Sequence, residues 1–200
     1  THVDRTYLQE EHRRYHPRAC VIVSHLSRVH SLSRNRQAVR KFADRQVPPD
    51  LLERILDCGR FAVSAGEDQP WRFIVVQEQL TRHQLAGAAF NSEHVRTAPI
   101  VIVGCARVHS RISGHGRPAF PTDLAAATQS MALAATDMGL QAAWITGFRE
   151  AVVRSLLVVP ADVPIVTLLA VGYPDGFERL PPRRPFSEVV TWDRWEGAAE

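Results

Sequence analysis

The sequence predicts an α+β domain in which helices alternate with about four short strands. Three observations carry that reading. Leu51, Leu52, Ile55, Leu56 and Ala62 recur at helical spacing behind Pro48-Pro49-Asp50, where Pro49 suits a first helical position. Phe73 to Val76, Pro99 to Val103, Ala143 to Ile145 and Pro164 to Val171 are short apolar runs, the pattern of strands buried between layers. Asp123 to Met138 is a long Ala-rich helix, apolar on most sides, which places it in the core or at a subunit interface, with Gly139 as its natural stop.

The first element is an appended arm. Residues 1–32 lie ahead of the domain at 33–200, and their Tyr7 to Tyr15 piece reads as a polar helix. Five of the nine histidines fall in residues 1–33, and His12 and His16 share a helical face, but no third ligand follows at a telling spacing, so they read as solvated surface residues. Arg34 to Phe42 reads as the first turn of a helix on which Arg36 and Arg40, four apart, would grip a phosphate or stand solvated.

The chain is organised around Phe61 to Phe73, FAVSAGEDQPWRF, where the first domain helix gives way to a strand. Its small residues and glycine let backbone come close to a ligand, and Gln69-Pro70-Trp71 adds an amide, a fixed φ and a buried planar anchor. A weaker helix spans Thr81 to Phe90. Arg107 to Pro121, with two Gly and two Pro, is a long loop and a candidate lid. Its Gly114-His115-Gly116 with Ala119 is no dinucleotide fingerprint, because Pro118 interrupts it and no acid follows at the proper distance. A helix at Arg149 to Leu157 precedes the last strand, and an extended tail carries Pro174, Pro181, Pro182, Pro185 and the basic pair Arg183-Arg184.

Composition narrows the function. Two hundred residues, 45% hydrophobic and 22% charged, describe one globular domain with no apolar run of membrane length. The net charge is only +3, and the arginine-rich first 40 residues match no nucleic-acid-binding pattern, so neither nucleic acid nor membrane is an expected partner. Cys20, Cys58 and Cys105 form no C-x-x-C and read as reduced thiols of a cytoplasmic protein with no metal. G-x-S-x-G, P-loop and H-E-x-x-H patterns are all missing, so a cofactor is expected to carry the chemistry.

Five pieces in order, RQAVR (36–40), VSAGEDQPWRF (63–73), NSEHVRTAPIVIV (91–103), GLQAAWITGF (139–148), and GYP (172–174) with RRPFSEV (183–189), resemble the FMN-dependent nitroreductase family over roughly Ser33 to Trp192. The resemblance implies a nitroreductase-like fold: a central mixed, mainly antiparallel sheet flanked by helices in an intertwined homodimer, with FMN held by both chains. By position, Arg36, Gln37 and Arg40 would reach the phosphate, ribityl chain and pyrimidine edge of FMN, and Arg183 or Arg184 would also meet the phosphate. Val63, Ser64 and Ala65 would come from the partner subunit to line the flavin. Asn91 and His94 would address the polar edge of the ring, and the Thr146 and Gly147 backbone would face N5. His115 and Phe120 would shape the acceptor pocket.

Three positions depart from the family pattern: Ala38 for Ser, Val63 for Pro and Glu67 for Asn, the last exchanging an amide for a carboxylate that cannot donate in its ionised form. The activity implied is hydride transfer from NAD(P)H through flavin N5 to a nitroaromatic or quinone-like acceptor by a ping-pong scheme, with no catalytic side chain. Two alternatives stand beside it: a flavin-binding or storage protein with little turnover, and a specialised flavin enzyme acting by dehalogenation, dehydrogenation or flavin breakdown.

Overall fold

A computed structural model describes residues 23–35, 39–107, 112, 114, 116–176 and 182–195. Helix α1 (Val23–Asn35) leads to an irregular segment at 39–48, then α2 (Pro49–Arg60), β1 (Trp71–Val76), α3 (Gln79–Ala88) and the short α4 (Glu93–Thr97). Strand β2 (Ile100–Ala106), the long α5 (Phe120–Asp137), β3 (Gln141–Ile145), α6 (Glu150–Leu157), β4 (Ile165–Gly172) and α7 (Phe186–Val189) follow.

The sheet runs in the order β1-β2-β4-β3, and every neighbouring pair is antiparallel. Within the described strands of one chain the expected mixed character is therefore absent, and the mainly antiparallel description is the right one. β2 and β4 lie at the centre, and alternation splits their side chains between two cores. Val101, Val103, Cys105, Leu168 and Ala170 pack with Leu85, Ala86, Val95 and Val153 of α3, α4 and α6. Ile100, Ile102, Leu169 and Val171 pack with Leu52, Ile55, Met131, Ala132 and Ala135 of α2 and α5. Both faces are covered, which is why these strands read as apolar runs, interrupted only by Thr167 in β4.

Close approach explains two glycines in this frame. A Cβ on Gly59 would stand 2.7 Å from Met131 Cγ, so α2 and α5 cross there at backbone distance. A Cβ on Gly104 would stand 2.8 Å from Thr167 Cγ2 and 3.0 Å from Leu124 Cδ2, at the register shift of β2 against β4.

Some boundaries differ from the sequence reading. Helix α5 begins at Phe120, with Pro121 in its first turn, so Phe120 belongs to the helix and the candidate lid is shorter than Arg107 to Pro121. A proline in the first turn needs no N–H partner, so it starts the helix rather than ending the loop. Strand β1 includes Trp71 and Arg72, and Trp71 is half-buried at the sheet edge rather than the buried anchor expected. Helix α1 meets α5 through an Arg28–Asp137 pair in which Arg28 Nη2 donates to both carboxylate oxygens at 2.7 Å.

Candidate active site

The arginine segment is held by backbone pairing to the end of β4. Ala43 N–H donates to Tyr173 O at 2.8 Å, Asp175 N–H donates to Lys41 O at 3.0 Å, and Phe42 bridges Pro174. The Arg45 guanidinium stacks 3.7 Å over the Tyr173 ring, a cation–π contact on the same seam. Val39 and Phe42 are buried while Arg40 and Lys41 between them are exposed, so the segment is anchored on both sides of its arginine. Gly172 makes the seam possible: a Cβ there would lie 2.6 Å from Pro99 Cδ and 3.0 Å from Phe42 Cδ1.

Arg40 is thus not on a helix. The chain leaves α1 at Asn35 and residues 39–48 are irregular, with the Lys41 and Ala43 backbone paired to Asp175 and Tyr173 rather than in a helical ladder. The shared helical face expected of Arg36 and Arg40 is not formed at Arg40; Arg36, Gln37 and Ala38 lie outside the described residues.

A second group of predicted residues gathers where α3 ends. Phe90 and Asn91 both have left-handed backbone, φ 55 and 60. Asn tolerates that region; an aromatic residue does so only when its surroundings force it. Here Ser92 N–H closes the end of α3 onto Ala86 O and Ala89 O, while Arg149 reaches back with its N–H to Ala88 O at 2.9 Å and its guanidinium to Gly87 O at 2.7 Å. The bonds from Arg149 set the 146–149 segment against the end of α3. Thr146 and Gly147 are exposed, and a Cβ on Gly147 would meet only Phe90 Cε2, at 3.9 Å. Asn91 is exposed and His94 half-buried, with Nδ1 3.4 Å from Ser92 Oγ.

The third group is the Val63–Pro70 loop. Ser64 is extended and Ala65–Glu67 forms one tight turn, with positive φ at Gly66, Glu67 and Gln69. Ser64 Oγ accepts from Gln69 N–H at 2.9 Å, and Ala65 N–H donates to Asp123 Oδ1 at 3.0 Å. Arg107 fixes the far end, donating from its backbone to Pro70 O at 2.7 Å and from its guanidinium to Asp68 O at 3.2 Å. Val63 and Glu67 are exposed. Among the described residues no hydrogen bond joins this loop to Asn91, Thr146 or Gly147.

The tail behaves differently. Arg183 and Arg184 are exposed, and Arg184 turns onto the following helix α7, its guanidinium donating to Glu188 Oε2 at 3.2 Å and Glu188 O at 3.1 Å. Phe120 is half-buried at the start of α5, and His115 lies outside the described residues. Thr97, Phe90, Arg107 and Asp123 organise these segments without having been singled out from sequence. Only Asp123 carried a signal, since it falls on the same helical face as Leu124, Ala127 and Met131.

Burial pushes the Cys105 thiol up to about 11, and hydrogen bonds from Thr81 lower the Glu78 carboxyl. Among the described residues no group of three His, Cys, Asp or Glu side chains could hold a metal, and no helix is long and apolar enough to cross a membrane.

The family model described as the nitroreductase family matches residues 33–173. The NADH dehydrogenase of Thermus thermophilus is 30% identical over 189 residues, covering 78% of this chain and 92% of that protein. The 5,6-dimethylbenzimidazole synthase of Rhodospirillum rubrum is 27% identical over 172 residues, covering 73% and 82%. In fold, the NADPH:FMN oxidoreductase of Vibrio harveyi complexed with NAD+ superposes with a TM-score of 0.78 at 23% identity, over 86% of this chain and 80% of that one.

Proposed function

The chain belongs to the nitroreductase family, and from that premise we propose that it binds FMN and moves two electrons from NAD(P)H to a small electron-poor acceptor such as a nitroaromatic or quinone. It is an NAD(P)H-dependent oxidoreductase. The observation that supports the flavin reading is the bracing of the 146–149 segment against the end of α3. Arg149 bonds Ala88 O and Gly87 O, and a Cβ on Gly147 would lie 3.9 Å from Phe90 Cε2, so the exposed Thr146–Gly147 backbone comes to the residue that precedes the exposed Asn91.

The residues fit the group. Arg40 is presented outward on an anchored segment and would grip a phosphate, with Arg36, Gln37 and either Arg183 or Arg184 completing the anionic end. Ala38 offers that end no hydroxyl. Asn91 and His94 would meet the polar edge of the ring. Val63, Ser64 and Ala65 would approach from a partner subunit, which accords with their lack of hydrogen bonds to Asn91 or Gly147 within one chain. Glu67 would sit at the margin of that contact, and His115 and Phe120 at the acceptor side.

Bound FMN supplies the two-electron transfer between donor and acceptor. The chain's part is to hold its anionic end, present hydrogen bonds to the ring edge and leave the space beside Gly147 open for donor and acceptor in turn. No acid or base side chain is assigned. A homodimer is part of the proposal: Phe61, Val63, Trp144, Phe186, Trp192 and Trp195 are all exposed in a single chain, an amount of large apolar surface suited to a partner of the same kind.

The test is an absorbance spectrum after FMN loading and desalting, followed by anaerobic NADH or NADPH. Retained flavin bands that bleach with either donor are expected, with parallel double-reciprocal lines in steady state. Failure to retain flavin overturns the proposal, and retained flavin that neither donor bleaches points to the storage alternative. A dedicated enzyme acting on one substrate is the second reading, favoured by the likeness to the Rhodospirillum rubrum synthase. Poor turnover of every generic nitroaromatic and quinone by a protein whose flavin bleaches normally would shift the assignment to it.

A further inference from the structure

We propose that Asp123 is the positioning residue of the Val63–Pro70 loop, its carboxyl fixing the turn from which that loop meets the flavin. The inference rests on the flavin reading above. Asp123 lies in the first turn of α5, 5% exposed, on the helix face that carries Leu124, Ala127 and Met131 into the core. Its Oδ1 accepts the Ala65 N–H at 3.0 Å, while Oδ2 is buried with no partner among the described residues. A half-satisfied carboxyl is costly on such a face, where an apolar side chain would pack without loss. What the carboxyl provides is the acceptor for one loop amide 58 positions away.

The turn needs that outside support. Ser64 precedes it in the capping position but makes no side-chain cap, because its Oγ accepts from Gln69 N–H. Three of the next five residues, Gly66, Glu67 and Gln69, have φ of 59, 57 and 46, and two of them carry side chains that disfavour this region. Arg107 restrains Asp68 and Pro70 at the far end. Among the described residues outside the loop, Asp123 is the one hydrogen-bonded to Ala65, a residue assigned to the flavin. With the Ala65 N–H committed to Asp123, that amide is not offered to a ligand.

The experiment compares wild type, Asp123→Ala and Asp123→Asn in two measurements: amide hydrogen exchange at Ala65 in flavin-free protein, and FMN affinity from quenching of flavin fluorescence. Asp123→Ala is expected to speed exchange at Ala65 and weaken FMN binding, each by about ten-fold or more, the scale of a lost hydrogen bond to a carboxyl acceptor. Asp123→Asn keeps an oxygen acceptor and is expected to restore both to within about three-fold of wild type. Asp123→Leu, which fits the apolar face, is expected to behave like Asp123→Ala and serves if that variant does not fold. Unchanged exchange and affinity in the Ala or Leu variant, or an Asn variant no better than these, overturns the assignment. If wild type itself binds no FMN, the flavin reading falls, while exchange at Ala65 still decides whether Asp123 sets the turn.

Discussion

The Phe42 N–H donates to Thr97 Oγ1 at 3.0 Å, and the same hydroxyl donates onward to Glu93 O at 2.8 Å. One threonine thus joins the segment carrying Arg40 to the helix carrying His94, two pieces of the candidate site 55 positions apart in sequence. Thr97→Val keeps the shape and removes the acceptor, leaving the amide of a buried residue unsatisfied. The expected loss is about 1–3 kcal/mol. For a chain of this size each kcal/mol lowers Tm by about 2–4 °C. Thr97→Ser keeps the hydroxyl and should stay near wild type. Equal melting of the Val variant and wild type would show that the bond contributes nothing.

Arg40 is exposed between buried Val39 and Phe42, so its side chain contributes little to the apolar core. Melting of the Arg40→Ala apo protein, measured beside its flavin affinity, separates an effect on the fold from an effect on the site. The variant's FMN affinity should fall about ten- to a hundred-fold, the scale of lost charge-assisted hydrogen bonds to phosphate. Arg40→Lys should recover part of this, as a point charge without the planar fork. Fluorescence titration at two salt concentrations gives both numbers, and an Ala variant that binds FMN as wild type does removes Arg40 from the phosphate site.

Cys58 and Cys105 should separate sharply on alkylation. Cys58 is exposed on α2, whereas Cys105 is buried in the sheet with its thiol raised to about 11. Raising a thiol's pKa keeps it protonated over the working range, and the thiolate is the reactive form. At pH 8 iodoacetamide should modify Cys58 within minutes to hours and leave Cys105 intact in folded protein, becoming reactive only on unfolding or as pH approaches 11. Peptide mass mapping reads the sites separately. Modification of Cys105 at a rate like that of Cys58 would mean that β2 opens readily.

Residues with local causes were legible in the sequence, and those fixed by distant partners were not. Strands β2 and β4 announce themselves because both their faces are covered by helices, so every position but Thr167 is apolar. Trp71 and Arg72 extend β1 unannounced, since on an edge strand Arg72 faces solvent and breaks the apolar run. The spacing of Arg36 and Arg40 suggests a helix, yet residues from 39 onward pair with Tyr173 and Asp175, a choice no local propensity encodes. Asp123 looks like an ordinary acid at a helix start, and only the fold brings Ala65 to it. The candidate site is legible as motifs because it is built from loops; how those loops are held is written in the long-range bonds of Thr97, Arg107, Asp123 and Arg149.

Gly172 and Gly147 each stand in a motif, and the fold gives them opposite reasons to be glycine. At Gly172 a Cβ would lie 2.6 Å from Pro99 Cδ and 3.0 Å from Phe42 Cδ1, both in buried residues with no room to yield. Gly172→Ala should therefore cost about 1–3 kcal/mol, as overpacking does, and lower Tm whether or not flavin is present. At Gly147 the nearest atom is Phe90 Cε2 at 3.9 Å, an ordinary van der Waals distance, and the chain there is not in the left-handed region. Gly147→Ala should melt as wild type does. If the open side of this peptide serves flavin, donor and acceptor, Gly147→Val should nevertheless lose most flavin binding or turnover at unchanged apo stability. Thermal melts of the apo proteins beside flavin titrations and NADPH turnover separate the two cases. A Gly147→Val variant with full flavin binding and turnover would move the reacting face away from Thr146–Gly147, and a Gly172→Ala variant of wild-type stability would mean that the seam between Phe42 and β4 is looser than its distances indicate.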